Sequence, residues 1–346
     1  MKVLHINSEK SWRGGEQQMI YLLETLSEEV ESYICCRINS KVHDYVLKNE
    51  IPHLALKFKG FKLIDSLRLK KFVLSEKINI IHTHTSNAHT LAYYASIFGL
   101  VKPIIVSKRT DFPVRSPYKF NHKNIKRILC VSEMIKKITQ RNIINKDRAV
   151  TVYSGIDTNR FEGEQKSLKN LLSLDDKKPL VGNTSAIAPH KDYYTFLRCA
   201  ELLPNLNFVI IGDGPMELEI KNYVQTKKLM NVFFTGFLSN LNEYMKSLDL
   251  FLITSETEGL GTSILDAMIC KVPVVATRAG GIPEIVIHKK TGLSSDVSDY
   301  KSLSHQISES LFKKPHVDEA FYNILQNFSK ESTAKNTHNI YKSLMK

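Results

Sequence analysis

Short apolar segments alternate with helix-like segments along most of the chain, and this alternation restricts the fold more than any other feature. The first segment, residues 3–6, is followed by a glycine-containing loop and a stretch with helical periodicity from about residue 16 to 26. Similar apolar segments lie at residues 78–82, 104–106, 128–131, 180–183, 207–211, 232–234, 250–253 and 272–276. Strands that alternate with helices form doubly wound parallel sheets, so the sequence predicts an α/β fold.

The 346 residues exceed one ordinary domain, and a polar segment separates two sets of strand–helix units. We predict an N-terminal Rossmann-like domain at 1–161, a C-terminal Rossmann-like domain at 162–325, and a helix at 326–346 that packs back across both. In the second set, two of the helices are expected to begin near residues 240 and 283. Two such domains facing each other would form a cleft at the carboxyl ends of their sheets, where open α/β sheets bind ligands.

Basic residues are concentrated in the first half of the chain. Residues 102–148 contain 13 Lys and Arg against 3 Asp and Glu, an excess of 10 within a total net charge of +13. Such a cluster attracts polyanions. Because no zinc finger, RRM signature or convincing helix-turn-helix is present, we expect an anionic membrane surface or a phosphorylated glycolipid rather than nucleic acid. A solvated lysine-rich surface is the alternative.

The sequence also carries information about the compartment. No segment contains the roughly 18 apolar residues needed to cross a bilayer, and the N-terminus becomes polar too soon for a signal peptide. The five cysteines have neither CxxC nor zinc spacing and are expected to be reduced. These features predict a cytoplasmic protein that attaches peripherally to the inner face of the membrane.

Several predicted strands end in glycine turns that lead into helices. The most specific is SETEGLGTSILDAM, residues 255–268, where glycines allow a tight turn and helix amides can bind a phosphate. The residues of this turn are Gly259, Gly261, Thr262 and Ser263. Further glycine turns are Gly14-Gly15, GDGP with Gly212 and Gly214, and AGGIPEIV at 279–286. Each alone could be a simple βα turn, but four together favour a nucleotide-phosphate site.

Two carboxylates flank the glycine turn of residues 255–268. Glu258 precedes the turn and Asp266 lies about one turn into the following helix. They can face one pocket and accept hydrogen bonds from sugar and ribose hydroxyls. The alternative is an acidic loop with Asp266 on the helix surface.

These motifs together resemble a known family. The segments EGLGTSILDAM, GGIPEIV, IIGDGP, SGIDTNRF and RGGEQQ are similar to those of the retaining nucleotide-sugar glycosyltransferases of family 4, which have the GT-B fold, and the resemblance spans nearly the whole chain. It implies transfer of a sugar from a UDP- or GDP-linked donor, without a bound cofactor. The implied acceptor is a cell-envelope glycan or glycolipid, such as lipopolysaccharide or capsule.

The resemblance also implies roles for individual residues. Glu258 would contact the donor sugar, and Asp266 would bind ribose, although it is one methylene shorter than the family's glutamate. Lys191 matches the lysine of a basic pair on the donor diphosphate, whereas Ala186 occupies the arginine position. Lys191 and loop amides would stabilise the departing diphosphate without a metal, in a front-face reaction. Arg109 lies near the position where family members often carry a histidine, and we assign it a catalytic role.

The first half contributes further candidate ligands. His82 and His84 end a predicted strand in an H-x-H pattern that would suit a metal, but no third ligand is evident, and we expect no metal. His84 or Asn87 is predicted to contact the acceptor or the donor sugar, with a structural histidine as the alternative. Arg109 and Arg115 are candidate ligands of a phosphate or an acceptor anion, because arginine presents a two-pronged donor.

Two other functions use the same paired domains. One is a nucleotide-sugar 2-epimerase, and the other is a non-catalytic GT-B protein that binds polyanions, since half of the basic clamp is missing.

Overall fold

The computed structural model describes residues 1–58, 62–313 and 316–345. The chain divides into two compact units, Met1–Gly155 with Lys330–Lys346, and Ile156–Ser329. The division falls after Gly155, a few residues before the predicted limit at 161, and the C-terminal residues belong to the first unit.

The first unit contains a seven-stranded parallel sheet in the order β3-β2-β1-β4-β5-β6-β7. Its strands are β1 (Lys2–Asn7), β2 (Glu31–Arg37), β3 (His53–Leu56), β4 (Ile80–Thr83), β5 (Ile104–Lys108), β6 (Ile125–Cys130) and β7 (Ala149–Thr151). Its helices are α1 (Gly14–Thr25), α2 (Lys41–Lys48), α3 (Lys62–Ser75), α4 (Ser86–Ile97), α5 (Pro117–Asn121), α6 (Glu133–Gln140) and the C-terminal helix (Lys330–Ser343).

The pairing of β1 with β4 determines which polar side chains meet at the end of this sheet. Leu4 and Ile6 are fully buried, as expected for a central strand covered on both faces. His5 is directly opposite His82 in the parallel register. The C-terminal helix packs on α1 and buries Tyr341 completely, so the last residues of the chain complete the core of this unit.

The second unit contains a six-stranded parallel sheet in the order β10-β9-β8-β11-β12-β13. Its strands are β8 (Leu180–Thr184), β9 (Asn207–Ile211), β10 (Val232–Gly236), β11 (Leu250–Ile253), β12 (Val274–Thr277) and β13 (Leu293–Ser295). Its helices are α7 (Leu168–Leu171), α8 (Tyr193–Leu202), α9 (Glu217–Thr226), α10 (Thr262–Ile269), α11 (Tyr300–Lys313) and α12 (Val317–Asn327).

The two parallel sheets confirm the predicted α/β class with two Rossmann-like domains. Two predicted helices are wrong: the chain forms 3-10 turns at Leu241–Glu243 and Met245–Ser247 after β10, and another at Ile282–Glu284 after β12. Both connections are short, so two 3-10 turns in the first and one in the second take the place of an α-helix. Among the helices of the described residues, none has the length and apolarity required to cross a membrane.

Candidate active site

The carboxyl end of the second sheet brings Lys191 and Glu258 together. Lys191 Nζ lies 2.5 Å from Glu258 Oε1, and both side chains are largely buried, with 13% and 14% of their surfaces exposed. Lys191 follows β8 and Glu258 follows β11, and these two strands are neighbours in the sheet. The backbone N–H of Glu256 donates to the carbonyl of His190 at 2.9 Å and ties the two loops to each other. The fold therefore unites the two predicted residues across 67 positions of sequence.

Glycines hold the loop that carries Glu258. Gly261, which precedes α10, has a φ of 92°, a left-handed conformation that favours glycine. Gly280 has a φ of 55°, and a Cβ at this position would overlap the carbonyl oxygen of Glu258. The N–H of Gly281 donates to that same carbonyl at 2.9 Å. The AGG segment after β12 thus fixes the backbone of Glu258, a role that sequence reasoning did not assign to Gly280.

The start of α10 places the amides that are predicted to bind phosphate at the beginning of a helix. Thr262 and Ser263 are the first two residues of this helix and are partly exposed, as is Gly259 in the loop before them. The helix begins directly after Gly261, so its first amides have no partners within the helix itself. They are therefore suited to an anion such as a diphosphate.

Gly212 and Gly214 pack two loops of the second unit together. A Cβ at Gly212 would overlap the carbonyl of Ser185, and one at Gly214 would overlap the backbone of Ile187. Ile187 N donates to Asp213 O at 2.8 Å across the same contact. These glycines therefore shape the loop that leads to Lys191, and their contact with a donor stays a prediction.

Asp266 lies in the middle of α10 and is partly buried. Burial raises the pKa of its carboxyl to about 6, and the nearby charge of Arg160 opposes this shift. Arg160 comes from the SGIDTNRF segment, whose 3-10 turn spans Thr158–Phe161. Sequence reasoning did not select Arg160, because only the fold brings that turn near α10. Ala186, which the resemblance places at the family's arginine position, is exposed.

Three buried histidines meet at the end of the first sheet. His5 lies in β1, His82 lies in β4, and His84 directly follows β4. One ring nitrogen of each histidine lies within 4.8 Å of those of the other two. His5 is the third partner that the sequence did not reveal, because it lies inside an apolar strand 77 positions before His82. Burial lowers the pKa of His5 to about 3 and the pKa values of His82 and His84 well below the ordinary value. All three imidazoles are therefore neutral at pH 7.

Hydrogen bonds connect these histidines to Arg109. Arg109 Nη2 lies 3.3 Å from His84 Nδ1, and His84 Nε2 lies 3.0 Å from His5 Nδ1. Because a guanidinium only donates, His84 Nδ1 accepts, so its Nε2 carries the proton and donates to His5. His82 bonds the Tyr341 hydroxyl at 2.6 Å and Ser107 Oγ at 2.8 Å. Both ring nitrogens of His82 and of His84 are therefore engaged, and a metal would have to displace these bonds.

A pocket of about 720 Å³ opens beside this network within the first unit. Its lining includes Gly15, His84, His89 and the basic residues Arg13, Lys108, Arg109, Arg115 and Lys119, with the acidic residues Glu9 and Glu16. The predicted residues Gly15, His84, Arg109 and Arg115 are thus brought together. Gly14 and Asn87 are exposed at the starts of α1 and α4 and do not line the pocket.

Lys108 shapes the loop on one side of the pocket. Its Nζ donates to Phe112 O at 2.8 Å, to Thr110 Oγ1 at 2.9 Å and to the Thr110 carbonyl. The ammonium group is therefore used to hold residues 109–112 in place behind Arg109.

Known protein families match the sequence of both units. The family model described as Glycosyltransferase Family 4 matches residues 12–160, and the model described as Glycosyl transferases group 1 matches residues 164–326. The chain belongs to glycosyltransferase family 4. Its predicted membership is confirmed.

Two relatives are similar in sequence to this glycosyltransferase over most of its length. An uncharacterised glycosyltransferase of Methanocaldococcus jannaschii is 26% identical over 89% of this chain and 88% of its own length. The UDP-Gal:alpha-D-GlcNAc-diphosphoundecaprenol alpha-1,3-galactosyltransferase of Escherichia coli is 23% identical over 87% of this chain and 86% of its own length.

A solved structure supports the fold of this family 4 member. The Anabaena protein HepE in complex with UDP-glucose superimposes with a TM-score of 0.86 at 18% identity, covering 99% of this chain and 100% of HepE. The predicted GT-B fold is confirmed. Within this glycosyltransferase, the second unit presents a lysine–glutamate pair beside helix amides, and the first presents a basic pocket.

Proposed function

We propose that this family 4 glycosyltransferase transfers a sugar, with retention of anomeric configuration, from a nucleotide diphosphate to a glycan or glycolipid of the cell envelope. The observation that carries the proposal is the buried Lys191–Glu258 pair beside the first amides of α10. The names of two similar proteins support it. HepE is described with UDP-glucose, and the Escherichia coli relative is named for UDP-Gal and a diphosphate-linked lipid acceptor.

The second unit would bind the donor. In the free protein Glu258 and Lys191 neutralise each other, which keeps both side chains in the site. When a donor binds, Lys191 can turn its charge toward the diphosphate, while Glu258 accepts hydrogen bonds from sugar hydroxyls. The helix amides add positive potential where the departing diphosphate gains negative charge.

The first unit would bind the acceptor. For a retaining transfer by front-face attack, the acceptor hydroxyl attacks the anomeric carbon on the side from which the nucleoside diphosphate leaves. The hydroxyl proton passes to a diphosphate oxygen, and lysine and amide donors stabilise the charge of the leaving group without a metal. A cytoplasmic protein held at the inner membrane face by exposed lysines of 102–148 would meet such acceptors.

Product analysis tests this function. The purified protein is incubated with UDP- and GDP-sugars and cell-envelope extract, and products are identified by mass spectrometry, with the anomeric configuration determined by NMR. Release of UDP or GDP only when acceptor is supplied is expected. Conversion of the donor to its 2-epimer would instead identify an epimerase, and an absence of any product with every donor would favour a non-catalytic protein.

A further inference from the structure

We propose that the basic pocket of the first unit binds a phosphate monoester carried by the acceptor, with Arg109 at its base and Arg115 and Lys119 at its rim. This inference rests on the proposed function, because it assigns a chemical class to the acceptor of that reaction. The shared chemistry is the phosphate group, whether it is attached to a soluble sugar or to a lipid.

Arg109 is the first evidence for an anionic ligand. Its Nε is buried and has no hydrogen-bond partner among the described residues, and its Nη2 donates to the neutral imidazole of His84. Burial lowers the pKa of Arg109 to about 10, so the guanidinium remains charged at pH 7. A buried charge without a carboxylate bonded to it is costly, and an anion bound beside it offsets that cost.

The acidic side chain that acts on Arg109 is already engaged. Glu16 lies close enough to favour the charged form of Arg109. However, its Oε1 accepts from Asn7 Nδ2 at 2.8 Å and its Oε2 accepts from the N–H of Arg13 at 3.0 Å. These bonds hold the carboxylate at the start of α1. Glu16 therefore orients the helix terminus and does not close the pocket with an ion pair.

The rim of the pocket adds two more cations. Arg115 is exposed and forms no hydrogen bond or ion pair within the part of the chain that the structure describes. Lys119 Nζ donates to Thr90 Oγ1 at 2.8 Å, which holds it at the pocket wall. With five basic and two acidic residues in the lining, the pocket has an excess of three positive charges. A phosphate group, with a charge of about −1.5 to −2 and three acceptor oxygens, suits this excess.

A second buried polar group without a hydrogen-bond partner among the described residues belongs to the lining of this pocket. His89 lines the pocket, is only 2% exposed, and its Nε2 has no hydrogen-bond partner among the described residues. Burial lowers the pKa of His89 to about 3, so the ring is neutral. A neutral imidazole nitrogen can bond a hydroxyl, and the pocket volume is typical of small-molecule sites. The pocket thus offers one subsite for phosphate and one for a hydroxyl of the same acceptor.

The experiment measures phosphate binding to the pocket while the donor site is occupied by UDP. The full-length protein is first saturated with UDP, and glycerol 3-phosphate or dioctanoyl phosphatidic acid is then titrated by calorimetry. The Arg115→Gln/Lys119→Gln double variant and the control Lys48→Gln, an exposed lysine of α2 outside the pocket, are titrated in parallel.

We expect the wild type to bind at least one of the two phosphomonoesters in the presence of UDP, and the double variant to bind about tenfold or more weakly, since charge-assisted hydrogen bonds are lost. The control should match the wild type. Binding of the soluble ester assigns a soluble phosphate, and binding of the lipid alone assigns a lipid phosphate. Equal binding by the double variant, no binding of either ester, or competition with UDP would overturn the inference. Failure of both UDP and GDP to bind would instead reject the proposed function.

Discussion

Replacing Glu258 by Gln tests the donor site most directly. The substitution keeps the size of the side chain but removes the charge that pairs with Lys191 at 2.5 Å. If Glu258 accepts hydrogen bonds that strengthen as the sugar gains positive charge, its loss should cost about 2–4 kcal/mol of transition-state stabilisation. That corresponds to a decrease of about 30- to 1,000-fold in kcat/KM.

The same substitution also perturbs folding, and the structure indicates by how much. Lys191 is only 13% exposed and would lose its partner carboxylate. Removing one partner of a mostly buried ion pair destabilises a protein by up to about 3–5 kcal/mol. Thermal unfolding must therefore be measured beside activity, and assays must be run well below the melting temperature of the variant.

A matched control lies two residues away. Glu256 is exposed, and the contact that ties its loop to His190 uses its backbone N–H rather than its side chain. Glu256→Gln should therefore leave kcat/KM within about twofold of the wild type, as expected for a surface substitution. Wild-type turnover by Glu258→Gln, or an equal loss in both variants, would refute the assignment of Glu258 to the donor site.

Four further measurements follow from the structure. Asp266→Ala should weaken UDP binding in calorimetry more than it lowers kcat, and an effect on kcat alone would contradict its assignment to ribose. EDTA should leave turnover unchanged, whereas loss restored by Mn²⁺ or Mg²⁺ would point to a metal, with the three-histidine cluster as the first candidate. Lys123→Gln/Lys126→Gln should reduce sedimentation with anionic vesicles at low salt, each charge contributing about 1 kcal/mol at most, and equal sedimentation with neutral vesicles would reject a charge-driven attachment. The three buried histidines stay neutral in the folded protein but take up protons in the unfolded chain. The first unit should therefore lose stability as the pH falls below about 6.5. The loss is at most about 1.4 kcal/mol per pH unit for each histidine. The single tryptophan, Trp12, lies in this unit and reports its unfolding by fluorescence. A stability that does not change with pH between about 4.5 and 6.5 would show that the pKa values of the three histidines are not lowered by folding.

The strands, helices and glycine turns near the donor site could be predicted because their signals are local. An apolar run followed by glycines and a helical repeat indicates a βα unit wherever it occurs. Lys191 and Glu258 each follow such a strand, and in a parallel sheet all carboxyl ends lie at one edge. Their convergence therefore required only that β8 and β11 belong to one sheet, and the structure makes them neighbours.

The remaining site residues depend on contacts that no local pattern specifies. His5 meets His84 because β1 and β4 are adjacent in the sheet order. Tyr341 reaches His82 across 259 positions because the C-terminal helix returns to the first unit. Gly280 appeared in a recognised glycine turn, yet its purpose became clear only from its contact with the backbone of Glu258.

The sequence by itself determined the α/β class, the two sets of strand–helix units and the family, since these follow from periodicity, turn residues and motifs within short windows. Tertiary structure alone decided which distant side chains share a pocket, that Arg109 bonds a neutral histidine, and that the basic excess of 102–148 divides between a pocket and an exposed surface. The physical reason is that strand order and the return of the last helix arise from burying apolar surface over the whole unit. Hydrogen bonding and pKa values then follow from that burial, so they become visible only once the chain is folded.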